Sequence, residues 1–117
     1  VPRFRRIGDA AESRAVDYLL EIGYSIVNRN YKRGHSEVDI IAMDDEELVF
    51  IEVRSRNPNA WETAEESISP SKQNRLWKTA EQYLAEIENF DHPCRFDVIA
   101  INGDTLKHYK DAFRPMP

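Results

Sequence analysis

The chain has 117 residues, 41% hydrophobic and 32% charged, which is enough for one core and too little for two ordinary domains. Its single cysteine, Cys94, excludes an internal disulfide, and no apolar run approaches the roughly 18 residues that span a bilayer. A net charge of −5 disfavours coating nucleic acid through bulk positive charge, because non-specific binding rests on Lys and Arg neutralising phosphates. One domain covering residues 1–117 is therefore expected, with no membrane partner and, in the absence of a visible secretory signal, a cytoplasmic location.

In chain order, Ala11, Ala15, Tyr18, Leu19 and Ile22 recur at helical spacing, predicting a first helix over Gly8 to Ile22 that Gly23 stops. Tyr24 to Tyr31 reads as a strand, and Lys32 to Ser36 breaks it. Glu37 to Met43 and Leu48 to Arg54 are two further strands about an acidic turn, while Asn57 to Ser69, with Trp61, reads as irregular. Ser69-Pro70 is a helix-start signal, and Leu76, Ala80, Tyr83, Leu84 and Ile87 carry a second helix to about Asn89. Phe96 to Ile101 is a strand, Asn102-Gly103 a turn, and Leu106 to Tyr109 a short last strand. The predicted order is α-β-β-β-α-β-β, an α/β (α+β) chain.

The central hairpin carries charge where scaffold would be apolar. A loop centred on Asp45 and Glu46 sets Asp39 opposite Glu52 and Glu37 opposite Arg54, on one face because facing and alternate residues share a side. The other face pairs Val38 with Val53, Ile40 with Ile51 and Ala42 with Val49, and is core. Two facing carboxylates repel, and a hard divalent cation with oxygen ligands removes the conflict, which suits Mg²⁺ or Mn²⁺ better than zinc. The plainer reading has equal weight: Arg54 pairs with Glu37, while Asp39 and Glu52 lie at a wet strand end.

Glu12 borders the inward stripe of the first helix, as a third acid or as a solvated residue. Lys72 and Gln73 open the second helix, where free N–H groups attract anions. Lys32 and Arg33 form a second group in reach of a nucleic-acid backbone, and Arg3, Arg5 and Arg6 a further basic cluster. Of His35, His92 and His108, none has metal-ligand spacing, and only His35 lies beside the acidic strand. Trp61 and Trp77 read as packing residues.

The runs E-V-D-I-I-A, L-V-F-I-E-V-R-S-R, P-S-K-Q-N-R-L and R-F-D-V-I-A-I, with G-x-x-A-E-x-x-A-x-x-Y-L at Gly8 to Leu19 and G-Y-x-I-x-x-x-N at Gly23 to Asn30, span nearly the whole chain. Together they resemble the YraN-like family of small bacterial proteins, which is similar to the PD-(D/E)xK nuclease superfamily and to archaeal-type Holliday junction resolvases. The resemblance implies a restriction-endonuclease-like mixed β-sheet flanked by helices. It implies Asp39 and Glu52 as metal-binding acids, Glu12 as the acid of the first helix, Glu37 as part of the E-x-D pair, and Lys72 and Gln73 as the polar start of the next helix. Arg54 stands where lysine is usual, and Ser36 where glycine is frequent before E-x-D.

The expected function is a Mg²⁺- or Mn²⁺-dependent nuclease-like protein acting on DNA, with branched or structured DNA as a candidate substrate. Its catalytic set is Asp39, Glu52, Arg54, Glu37 and Glu12, its metal ligands Asp39, Glu52 and Glu12, and its nucleic-acid contacts Lys72, Gln73, Lys32 and Arg33. Arginine keeps its proton, so the alternative is a weak or inactive nucleic-acid-binding module on the same fold; a third reading is a protein-interaction domain. Symmetric cutting of two strands favours a homodimer, although no residue pattern identifies a dimer surface.

Overall fold

The computed structural model of the protein describes residues 3–55 and 68–114, with side chains from Ala10 onward. Trp61, the acidic positions of 57–67 and the side chains of Arg3, Arg5 and Arg6 lie outside the described residues.

The first helix, α1, covers Arg3–Glu21 and begins earlier than the periodicity predicts. No strong breaker stands between Phe4 and Ile7, and one interior glycine, Gly8, costs only about 1 kcal/mol against alanine. Gly23 ends it at φ 97°, with Tyr24 N–H donating to Leu19 O (2.9 Å) and Gly23 N–H to Leu20 O (3.1 Å), a Schellman arrangement. Ile22, assigned to the apolar stripe, is exposed, because the chain has already left the helix there.

Five strands follow: β1 (Ser25–Arg33), β2 (Ser36–Asp44), β3 (Glu47–Ser55), β4 (Cys94–Asn102) and β5 (Thr105–Phe113). They form one sheet in the order β1-β2-β3-β4-β5, antiparallel except for the parallel pair β3–β4. The second helix, α2 (Pro70–Glu86), precedes β4 on the crossover and is capped by Ser69 Oγ, which accepts the Lys72 N–H at 3.1 Å. The predicted mixed α+β architecture and element order are thus observed. The break expected at Lys32 to Ser36 is narrower, since Arg33 still pairs with Ser36 and only Gly34 and His35 turn the chain. The last strand is longer than expected, reaching Phe113.

Helices cover both faces. Ala15 and Leu19 of α1 pack on Ile40, Ala42, Val49, Ile51, Ile99 and Ile101. Leu76, Ala80, Tyr83 and Leu84 of α2 pack on Ile41, Phe50, Phe96 and Val98. β3 and β4 are therefore buried on both sides, as parallel pairs usually are. No helix among the described residues is long and apolar enough to cross a membrane.

The hairpin register agrees with the sequence reading over five pairs, from Asp44–Glu47 to Ile40–Ile51. One assignment needs correction: Val38 packs with Ile41 on the α2 face, whereas Ile40 packs on the α1 face. The two-residue alternation therefore breaks at Asp39. Asn30, which the flanking β1–β2 pairs place across from Asp39, has φ 55°, the left-handed conformation that asparagine tolerates.

Candidate functional site

The strands β2 and β3 part just beyond Ile40–Ile51, and the gap opens a polar cleft of about 320 Å³. His35, Ser36, Glu37 and Asp39 line it from the β1–β2 turn and β2, Glu52 and Val53 from β3, and Lys72 and Arg75 from α2. These last two lie on one face of α2, three residues apart, so helical spacing presents both to the cleft.

Asp39 turns into the gap, where its Oδ2 accepts the Val53 backbone N–H at 2.8 Å. Glu52 shares its face with Phe50 and is only 6% exposed, because α2 begins directly above it. Burial first, and the charge of Glu52 second, push the Asp39 carboxyl up to about 8, against the Val53 hydrogen bond that favours its ionised form. Asp39 therefore holds its proton more tightly than a free carboxyl does, and the neighbouring charge of Glu52 is part of the cause.

That charge meets two cations at the same oxygen. Lys72 Nζ lies 2.6 Å from Glu52 Oε2, and Arg54 Nη1 lies 3.7 Å from it. Arg54 does not face Glu37 in the ladder. Glu37 instead stands across β1 from Lys32, because β2 leaves β3 before reaching Arg54.

Glu12 is 7% exposed on α1, and its Oε1 lies 3.4 Å from Arg29 Nε. Burial raises its carboxyl, Arg29 opposes that, and the charge of Glu37 adds to it, so Glu12 belongs to the same electrostatic neighbourhood. It does not join Asp39 and Glu52 in a ready-made ligand set: among the described residues, no three of His, Cys, Asp and Glu are grouped to hold a metal ion. The half-buried Asp39 and the buried Glu52 nonetheless bring two carboxyl groups to one cleft, oxygen donors that fit a hard cation completing its shell with water or phosphate oxygens, the usual habit of Mg²⁺.

The remaining candidates are placed elsewhere. Gln73 donates through Nε2 to Ile68 O at 3.0 Å, which holds the entry to α2 rather than the cleft. Arg33 is engaged by Glu86, with Nε 2.7 Å from Oε1, and its guanidinium lies over the Tyr31 ring at 4.2 Å. Lys32 is exposed on the edge strand. Trp77 packs near Phe96, as expected of a packing residue.

A second polar cluster, which sequence reasoning missed, lies on the α1 face near the opposite end of β3. Asp97, fully buried, accepts from Arg95 Nε at 2.9 Å and from the Asp111 N–H at 2.9 Å, and lies 2.7 Å from His108 Nε2. Arg95 also reaches Asp44, Glu47 and the Tyr24 hydroxyl, while His108 Nδ1 meets Tyr18 Oη at 3.0 Å. Burial pushes Asp97 up, but the hydrogen bonds from His108 and Arg95 outweigh it and leave the carboxyl below its ordinary value. The R-x-D spacing at Arg95 and Asp97 was the available signal, since alternate strand residues share a face.

The model of the uncharacterised protein family UPF0102 matches residues 11–101. A UPF0102 protein of Chlorobium limicola is 41% identical, covering 92% of this chain and 91% of its own. Relatives of the same description in Bacteroides thetaiotaomicron (38% identical, 93% of each chain) and Thermodesulfovibrio yellowstonii (39% identical, 92% of this chain and 95% of the relative) span nearly the same length. The expected kinship with a small bacterial family is therefore met, and the names of these relatives state no activity.

Proposed function

The chain belongs to the UPF0102 family, and we propose that it is a metal-dependent nuclease-like protein acting on DNA, with branched or structured DNA as its substrate class. The observation that carries this reading is the pairing of half-buried Asp39 with buried Glu52 in the gap between β2 and β3, with cations at the cleft that contains them. Purely structural acids are seldom placed face to face in a polar cleft, because desolvation and mutual repulsion both oppose it.

In this reading Asp39 and Glu52 would hold Mg²⁺ or Mn²⁺, with Glu12 on α1 contributing through its charge or through water. The chemistry such an ion supplies when bound is polarisation of a phosphoryl oxygen and activation of water. The Val53 N–H fixes the Asp39 carboxylate through Oδ2, an orientation that would turn Oδ1 to the ion. Arg54, at the outer side of Glu52, gives a permanent positive charge where phosphate charge builds during cleavage. Lys72 and Arg75 line the same cleft and are available to phosphate oxygens.

The test is cleavage of a four-way junction and of single-stranded DNA with Mn²⁺. Wild type is expected to cut and Asp39→Ala to lose at least about a hundredfold in rate, the scale of removing a group on which charge stabilisation depends. Equal rates in the two proteins would reject the assignment.

One observation favours a second reading. Arg54 occupies the position of the expected lysine and cannot give up its proton, so a chemistry that requires a base there fails. The protein would then be a DNA-binding module, recognised by salt-sensitive binding without turnover under any divalent ion.

A further inference from the structure

The question left by the cleft is what Lys72 does at Glu52, since a divalent ion bound by Glu52 would occupy the same oxygen. We infer that Lys72 is an exchangeable counter-cation: its ammonium neutralises Glu52 while the site holds no metal, and is displaced toward the DNA phosphate when a divalent ion enters. The inference rests on the metal-binding reading above and deepens it.

Three features support the exchange. The first is position, with Nζ at 2.6 Å from Glu52 Oε2, a full ångström closer than the Arg54 guanidinium. Like charges cannot share that oxygen cheaply, so a divalent ion and the ammonium compete for it. The second is the contrast between anchor and arm. The Lys72 backbone is fixed by the Ser69 cap, while its four-carbon stem ends in a side chain 35% exposed, free to rotate outward within the cleft. The third is destination. The displaced ammonium stays beside Arg75 at the mouth of a polar cleft, two cations on one helical face where a phosphodiester would pass.

A consequence is mutual: whatever draws Lys72 off Glu52 strengthens metal binding, and the metal in turn releases Lys72 to phosphate. Coupling of this kind is reciprocal by thermodynamic necessity. Arg54, farther from Glu52 and at the strand end, does not take part in the exchange.

Calorimetric titration of the full chain with Mn²⁺, without DNA, tests this. The proteins are wild type, Lys72→Met and Lys78→Met; Lys78 is exposed on α2, is absent from the cleft lining and removes the same unit of net charge. Circular dichroism checks folding, and Lys72→Gln replaces Lys72→Met if the latter fails to fold. The expected result is Mn²⁺ affinity about fivefold or more higher in the Lys72 variant, the lower end of typical coupling factors, with Lys78→Met close to wild type. Unchanged or weaker affinity in the Lys72 variant overturns the exchange and leaves the metal reading intact. An equal gain in both variants reduces the effect to bulk charge and also overturns it. Absence of Mn²⁺ binding in all proteins rejects the metal reading and the exchange together.

Discussion

The Asp39 carboxylate accepts the Val53 backbone N–H at 2.8 Å, so that an acid of β2 fills a hydrogen-bonding place on β3 that a strand carbonyl would otherwise take. The ladder ends there because a side chain has replaced main chain, and the separation of the strands is what creates the cleft. The acid is thus both the end of the hairpin and the floor of the site.

This double role makes Asp39 a source of pH-dependent instability. Its folded carboxyl is raised by burial and by Glu52, so its stabilising contribution is complete below the unfolded value and is lost as pH rises through about 8. Asp39→Asn keeps an oxygen for Val53 and removes the ionisation. Urea unfolding without metal is expected to show the variant gaining on wild type as pH goes from 6 to 9, by roughly 2 kcal/mol, since a buried charge is no longer formed. A constant difference across that range would show that Asp39 does not titrate there.

For Arg54 the expected outcome separates charge from proton transfer. If its role is electrostatic, Arg54→Lys retains cleavage within about tenfold and Arg54→Ala loses about a hundredfold. Rates on the same junction substrate at fixed Mn²⁺ decide it, and equal rates in wild type and Arg54→Ala would remove the residue from the mechanism.

The cluster around Asp97 governs acid stability instead. Its folded carboxyl is lowered, so the stabilisation is present above the unfolded value near 3.8 and is lost as pH falls below it toward the lowered folded value. Asp97→Asn is expected to cost about 1.5–3 kcal/mol at pH 7, because the hydrogen bonds from Arg95 and the Asp111 N–H lose their charged acceptor while Asp44 and Glu47 still pair Arg95. Urea midpoints at pH 7 and pH 3 measure this, with the gap between variant and wild type narrowing at the acid end.

Ser69→Ala removes the oxygen that accepts the Lys72 N–H and is expected to cost about 1 kcal/mol. Because the cap also sets where Lys72 starts, its Mn²⁺ affinity is expected to move in the same direction as that of Lys72→Met, though less.

What the sequence made legible follows from how local each feature is. The β2–β3 register was readable because the turn at Asp45 and Glu46 joins two strands whose apolar faces agree over five pairs. Glu12 was readable as a border residue, since helical spacing places it beside Ala11 and Ala15. The flip of Val38 was hidden because it accompanies an irregularity across the β1–β2 pair, where Asn30 of the neighbouring strand has a left-handed conformation. Asp97 was read as a strand residue only and Arg95 as lying just before that strand; their partners come from β2, β3, β5 and the turn between α1 and β1, which no one-dimensional period brings together. The meeting of Lys72 with Glu52 likewise required the position of α2 over the sheet.

The parallel pairing of β3 with β4 has a consequence for the order of assembly. Asp39 and Glu52 come together in a hairpin, a local event with little chain to close, whereas Lys72 arrives on a crossover whose docking depends on the later strand β4. Until that docking, the acidic end of the hairpin has no ammonium beside it and is open to water, so its charges repel at little cost. Burial of the acids and arrival of their counter-ion are then one event, which places completion of the cleft late in folding and makes α2 the element that closes it.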